Sequence, residues 1–81
     1  MNYYAYILQS QKDFGYYIGV TSDIKKRLYE HNSGLSKSTK PRRPFKLVRV
    51  EKYEDRKTAY QRERFLKSKK SSKIIEKIIK N

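Results

Sequence analysis

Eighty-one residues suit one compact domain and leave no room for a second, and the absence of cysteine excludes disulfides and thiolate metal sites as its staples. Twenty-one lysines and arginines against eight acids give a net charge of +13, a surplus that repels itself and is tolerated best beside a polyanion, so nucleic acid is the expected partner. No apolar run approaches the roughly 18 residues of a membrane span, and Met1-Asn2-Tyr3-Tyr4 has no leader pattern, so a cytoplasmic protein without a membrane partner is expected.

Residues 3–8, Tyr-Tyr-Ala-Tyr-Ile-Leu, are aromatic and β-branched and predict a strand. Residues 10–15 form a turn closed by Gly15, and residues 16–20 a second strand, so the pair reads as an antiparallel hairpin. Thr21-Ser22-Asp23 supplies caps for a helix over about 23–32, with Ile24 and Leu28 on its inner face and Gly34 as its stop. Residues 35–44 are polar and basic, a loop ended by Pro41 and Pro44, before a third strand over 45–53. Glu54-Asp55 opens a second helix to about 67. A basic break over 68–72 leads to a short helix with an apolar stripe of Ile74, Ile75, Ile78 and Ile79. The order β-β-α-β-α-α predicts a small α+β fold, a three-stranded antiparallel sheet flanked by helices.

On the second helix Ala59, Glu63 and Leu66 are spaced i, i+4, i+7 and share a face, which sets a carboxylate on or beside a buried stripe. In so basic a chain Glu63 is either the partner of Arg27, Arg62 or a lysine, or a ligand for a hard cation such as Mg²⁺. Arg27 and His31, four apart, lie one above the other. Arg27 is an ordinary surface arginine or a phosphate clamp, and His31 a structural histidine or a proton shuttle. Tyr4 and Tyr6 share one face of the first strand and Tyr3 the other, while Tyr16 and Tyr17 face opposite sides of the second. Spacing alone makes each of these tyrosines core packing.

Taken together, Tyr4-Ala5-Tyr6, ten residues, Tyr17-Ile18-Gly19, Val20-Thr21-Ser22-Asp23, Arg27, His31-Asn32-Ser33-Gly34, Pro44 and Arg62-Glu63 resemble the GIY-YIG nuclease family. The likeness runs from Tyr3 to the last helix and is nearest to small standalone members, similar to the N-terminal nuclease domain of the bacterial excision-repair nuclease without the rest of that protein. The first triplet departs from the pattern: Tyr4 stands at the glycine position, while Tyr6 keeps the tyrosine, so Tyr4 inherits no role.

The resemblance implies a metal-dependent endonuclease that hydrolyses phosphodiester bonds. Tyr17 would help activate the attacking water with Tyr6 beside it, Arg27 would hold the scissile phosphate, and His31 would assist the base or polarise the water. Glu63 would ligate one divalent cation, Mg²⁺ or Mn²⁺, and Gly19 would permit close backbone approach. A phenol of ordinary pKa near 10 is a poor base, so Arg27, the lysines and the metal are expected to lower it. Lys25, Lys26, Lys37, Lys40, Arg42, Arg43, Lys67, Lys69, Lys70 and Lys73 are the expected phosphate contacts. With no recognition module in the sequence, the expected substrate is DNA ahead of RNA, cut with low sequence specificity or a structural preference, in repair or recombination. A monomer is expected, with a dimer as the alternative. Two rivals stand beside this: a basic nucleic-acid-binding module without cleavage, and a ribosome-associated structural protein. Glu63→Gln, Tyr17→Phe and Arg27→Ala are expected to be severe, and His31→Ala milder.

Overall fold

The computed structural model describes residues 1–69 and 71–80. Its elements are β1 (Tyr3–Ser10), β2 (Tyr16–Thr21), α1 (Ile24–Ser33), a 3-10 turn (Lys40–Arg42), β3 (Phe45–Tyr53), α2 (Arg56–Ser68) and α3 (Ser72–Lys80). The strands form one antiparallel sheet in the order β2-β1-β3, as the β-β-α-β-α-α pattern predicts. Caps fall where the sequence puts them. Asp23 and Asp55 accept from the Lys26 and Thr58 amides, and Gly34 closes α1 at φ 84°, the left-handed region open to glycine.

β1 is central, and the pleat sends its alternate side chains into two separate cores. Tyr6 and Leu8 join Phe45 on one face, under Ile24 and Leu28 of α1, with Tyr17 and Leu47 beside them. Ile7 joins Leu66 of α2 and Ile75 of α3 on the other, with Tyr16, Ile18, Val48, Ile78 and Ile79 around them. The sheet is therefore covered on both faces, which is why Ala5, Tyr6, Ile7 and Leu8 form an unbroken buried run. Each of Ile7, Leu66 and Ile75 contributes about 1.5–3 kcal/mol by leaving water. The stripe expected on α3 is narrower than four isoleucines, since Ile74 remains 43% exposed.

Two places depart from the boundaries read in sequence. β1 runs on to Ser10, whose buried hydroxyl donates to the Arg42 carbonyl and accepts from the Lys12 and Asp13 amides. The 35–44 segment is not an open loop. It holds a 3-10 turn and ties to the hairpin through Gln11 N to Pro44 O at 2.8 Å and Arg42 Nε to Asp13 Oδ2 at 2.9 Å. Arg42, seconded by the Gly15 amide, holds the Asp13 carboxyl down at about 2.

β3 carries a buttress. Glu51 accepts from Arg49 at 2.6 Å, from Arg62 of α2 at 2.8 Å and from the Tyr53 hydroxyl at 2.8 Å, while Arg49 also donates to the Ile78 carbonyl of α3. Burial alone would raise the Glu51 carboxyl, but these donors outweigh it and hold it at about 2. The cluster pins both later helices to the sheet. Among the described residues no helix is long and apolar enough to cross a membrane.

Candidate active site

Tyr6 is 2% exposed and sits across the hairpin from Gly19. A Cβ placed on Gly19 would lie 2.5 Å from the Tyr6 hydroxyl oxygen, so only glycine leaves room for the phenol to cross β2. The close approach expected at Gly19 is thus made by a side chain of this chain. Tyr6 Oη lies 3.2 Å from Nε2 of His31, and Nδ1 of His31 lies 2.8 Å from the Thr39 hydroxyl. The Tyr17 ring meets the imidazole edge-on at 4.9 Å between centroids, and Phe45 closes the far side at 5.9 Å. β1, β2, α1, the 35–44 segment and β3 all contribute to one aromatic cluster centred on His31.

Arg27, one turn before His31 on α1, is half-buried, pairs with Glu30 at 3.1 Å and lies near enough to the Tyr6 phenol to act on it. On α2, Ala59 and Leu66 are buried as their spacing predicts. Of the neighbours proposed for Glu63, Arg62 turns to Glu51 and Arg27 to Glu30. The Glu63 carboxylate, 18% exposed, meets the Lys67 ammonium at 3.4 Å and lies near enough to Tyr6 to act on it by charge. The structure therefore brings Tyr6, Tyr17, Arg27 and His31 together and sets Glu63 within electrostatic reach.

Two expectations change. Burial raises the Tyr6 phenol above its ordinary value, and although Arg27 pulls it down, Tyr17 and Glu63 push it up again. Lowering by the surrounding cations fails at this residue, because desolvating a nearly enclosed ring outweighs one guanidinium. His31 is fully buried, so as folded it touches no water to polarise. Burial first, and Arg27 second, lower its pKa, which keeps the ring neutral at pH 7.

A divalent cation is tested against these donors. Among the described residues no group of three His, Cys, Asp or Glu side chains could hold a metal. A site built on Glu63 therefore fits only an ion content with one hard carboxylate plus water and substrate phosphate, the habit of Mg²⁺ rather than of structural Zn²⁺ or caged Ca²⁺. Its present cation partner is weakly held. Lys67 is 57% exposed, and such an i,i+4 pair is worth about 0.3–0.5 kcal/mol. Glu51, saturated by three donors, has no such freedom.

The basic residues are unequal. Lys25, Lys26, Lys37, Lys40 and Arg43 are exposed. Arg42 is spent within the chain, on Asp13 and over the Phe45 ring at 5.7 Å. Lys67 and Lys69 line an open cleft of about 390 Å³ between β2 and the α2–α3 junction, where Tyr16, Tyr17, Ser71 and Ser72 also contribute. Lys69 additionally covers the Phe65 ring at 4.7 Å. Lys70 lies outside the described residues. Sequence reasoning gave no role to Thr39, fully buried against His31, or to Asn32, noted only within the family pattern, whose side-chain amide brackets the Phe45 backbone at 2.6 and 3.1 Å. A threonine in a Ser- and Lys-rich loop gives no sign that it is enclosed.

With this geometry in view, the chain belongs to the GIY-YIG nuclease family: the GIY-YIG catalytic domain is matched over residues 2–77. It is similar to a UPF0213 protein of Streptococcus pneumoniae, 41% identical over 68 residues covering 83% of this chain and 68% of that one. A UPF0213 protein of Listeria welshimeri is 39% identical over 80 residues, 93% of this chain and 88% of the relative. The solution NMR structure of a UPF0213 protein from Bacillus halodurans superposes with a TM-score of 0.63 at 33% identity, covering 99% of this chain and 84% of that one.

Proposed function

We propose that this protein is a divalent-metal-dependent endonuclease that hydrolyses phosphodiester bonds of nucleic acid, DNA ahead of RNA, with little sequence preference. The observation that carries the proposal is the convergence of two phenols, one guanidinium and a buried imidazole on one spot, with the Glu63 carboxylate in electrostatic reach.

Phosphodiesters resist attack because their own negative charge repels nucleophiles. Arg27 would grip the scissile phosphate and offset charge as it grows in the transition state. Tyr17, packed edge-on against His31, would help activate the attacking water, with Tyr6 fixed beside it. Glu63 would hold Mg²⁺ or Mn²⁺, which when bound supplies Lewis-acid polarisation of the phosphoryl oxygens. Lys67 would yield the carboxylate and remain beside the cleft as a phosphate contact. The exposed lysines of α1 and of the 35–44 segment would position the flanking strand without reading sequence. Repair or recombination in the cytoplasm is the setting that suits such an activity.

One observation favours a second reading, that of a basic nucleic-acid-binding module: burial keeps the Tyr6 phenol protonated at rest, which disfavours it as a base. Incubating the protein with supercoiled plasmid, flap, branched, single-stranded and RNA substrates, each with Mg²⁺, Mn²⁺ or EDTA, separates the two. Metal-dependent nicking that vanishes in Glu63→Gln supports the nuclease. Binding without nicking on every substrate and metal replaces it with the binder.

A further inference from the structure

His31 is shut away from solvent between two hydroxyls, and a neutral imidazole must donate from one nitrogen and accept at the other. Which way the ring is protonated depends on where the Thr39 hydroxyl sends its single proton. Two acceptors are in reach. The Ser36 carbonyl lies 3.4 Å away and already takes the Lys40 amide at 2.9 Å and the Thr39 amide at 3.2 Å, which fills both of its lone pairs. Nδ1 of His31 lies 2.8 Å away, an ordinary hydroxyl hydrogen-bond length. The proton goes to the imidazole.

We infer that Thr39 is a positioning residue that donates to Nδ1 and so fixes His31 in the tautomer carrying hydrogen on Nε2, which donates to the Tyr6 oxygen. The Arg27 guanidinium, near the same phenol, has no acceptor and so cannot take the Tyr6 proton either. A donating Nε2–H, with the Arg27 cation nearby, makes the Tyr6 oxygen an acceptor and keeps its own proton from being spent on the imidazole. The reverse tautomer would spend the Tyr6 proton on His31.

The groups facing the ring keep it neutral while it does this. Arg27 on α1 repels an imidazolium and Glu30 on α1 attracts one, while the Tyr6 phenol of β1, raised by burial, the Tyr17 ring of β2, Phe45 of β3 and the Thr39 hydroxyl complete the enclosure. Enclosure also bars water from exchanging the tautomers through an outside proton.

The catalytic meaning of this arrangement rests on the nuclease reading, but the tautomer does not, so the two can fail separately. The chain has one histidine, which makes the spectrum unambiguous: two-bond ¹H–¹⁵N correlation at pH 7.5 reports directly which ring nitrogen is protonated. The wild type is expected to show protonated Nε2 and bare Nδ1. Thr39→Val, nearly equal in shape, is expected to lose that pattern, and Thr39→Ser to restore it. Plasmid nicking with Mg²⁺ should fall roughly 10- to 100-fold in Thr39→Val, the scale seen when a group orienting a histidine is removed, and return in Thr39→Ser at unchanged DNA affinity. A wild-type ring protonated on Nδ1 overturns the inference, and so does a Thr39→Val spectrum identical to wild type. If the spectra follow expectation while the wild type nicks nothing, the Thr39 assignment stands and the nuclease reading falls.

Discussion

Tyr6 and Ile7 are neighbours on β1, equally buried, yet they serve opposite sides of the sheet. The Ile7 face is packed with isoleucine and leucine from α2 and α3, and its charges gather on Glu51, where every donor is matched. The Tyr6 face buries phenol, imidazole and hydroxyl in place of hydrocarbon, linked in a chain of hydrogen bonds. A small domain that enclosed polar groups on both faces would forfeit the apolar burial that holds it folded. Here one face supplies stability and the other keeps the polar groups on which the proposed chemistry draws.

The sharpest way to break this division is Glu63→Gln. Cleavage is expected to fall at least about 100- to 1000-fold, with binding to labelled DNA and thermal stability nearly unchanged. Equal losses of binding, folding and cleavage would make Glu63 a residue of the stabilising face. Leu66→Ala should do the opposite, costing about 2–5 kcal/mol in urea unfolding while the specific activity of the folded fraction persists.

Acid offers a third test, of about 3 kcal/mol at most for one carboxyl. The Glu51 pKa is depressed in the fold, so its stabilisation is complete above about 4.5 and is lost as pH falls toward about 2. His31 is also depressed, so acidification below its ordinary 6.5 already favours the unfolded chain, which binds the proton more readily. Urea midpoints should therefore decline in two stages. Glu51→Gln should shrink the lower stage, which Asp13 shares, and His31→Gln should abolish the upper. The buried place of His31 also makes His31→Ala a loss of stability as well as of rate, since it strands the Tyr6 and Thr39 hydroxyls.

Gly19→Ala should cost roughly 100-fold in cleavage, because the added methyl displaces the Tyr6 hydroxyl by a fraction of an ångström to an ångström. Its β2 backbone bonds remain, so circular dichroism should be unaltered. The smallest change is Lys67→Ala, expected to alter stability by no more than about 0.5 kcal/mol and to raise the apparent affinity for Mn²⁺ by freeing the carboxylate.

Much of this was legible before any coordinates. Period-2 and period-3.6 patterns placed three strands and three helices, and Asp23, Asp55 and Gly34 marked helix ends because the cap chemistry is local. The resemblance singled out Tyr6, Tyr17, Arg27, His31 and Glu63. Local patterns could not tell that Arg42 is consumed by Asp13 while Arg43 is exposed, since the partner lies 29 residues away. Nor could they separate Glu51 from Glu63, two acids in basic surroundings, one saturated and one paired, among the described residues, with an exposed lysine.

What the sequence by itself determined is therefore whatever depends on near neighbours or on totals: the element order, the caps, the basic surplus and the family pattern. Tertiary structure alone decided which polar groups were taken out of water. Desolvation reversed the expected shift at Tyr6, neutralised His31 and turned an unremarked threonine into its partner. Burial is a property of segments meeting across the fold, and the energy of a phenol or an imidazole follows from who surrounds it rather than from who precedes it in the chain.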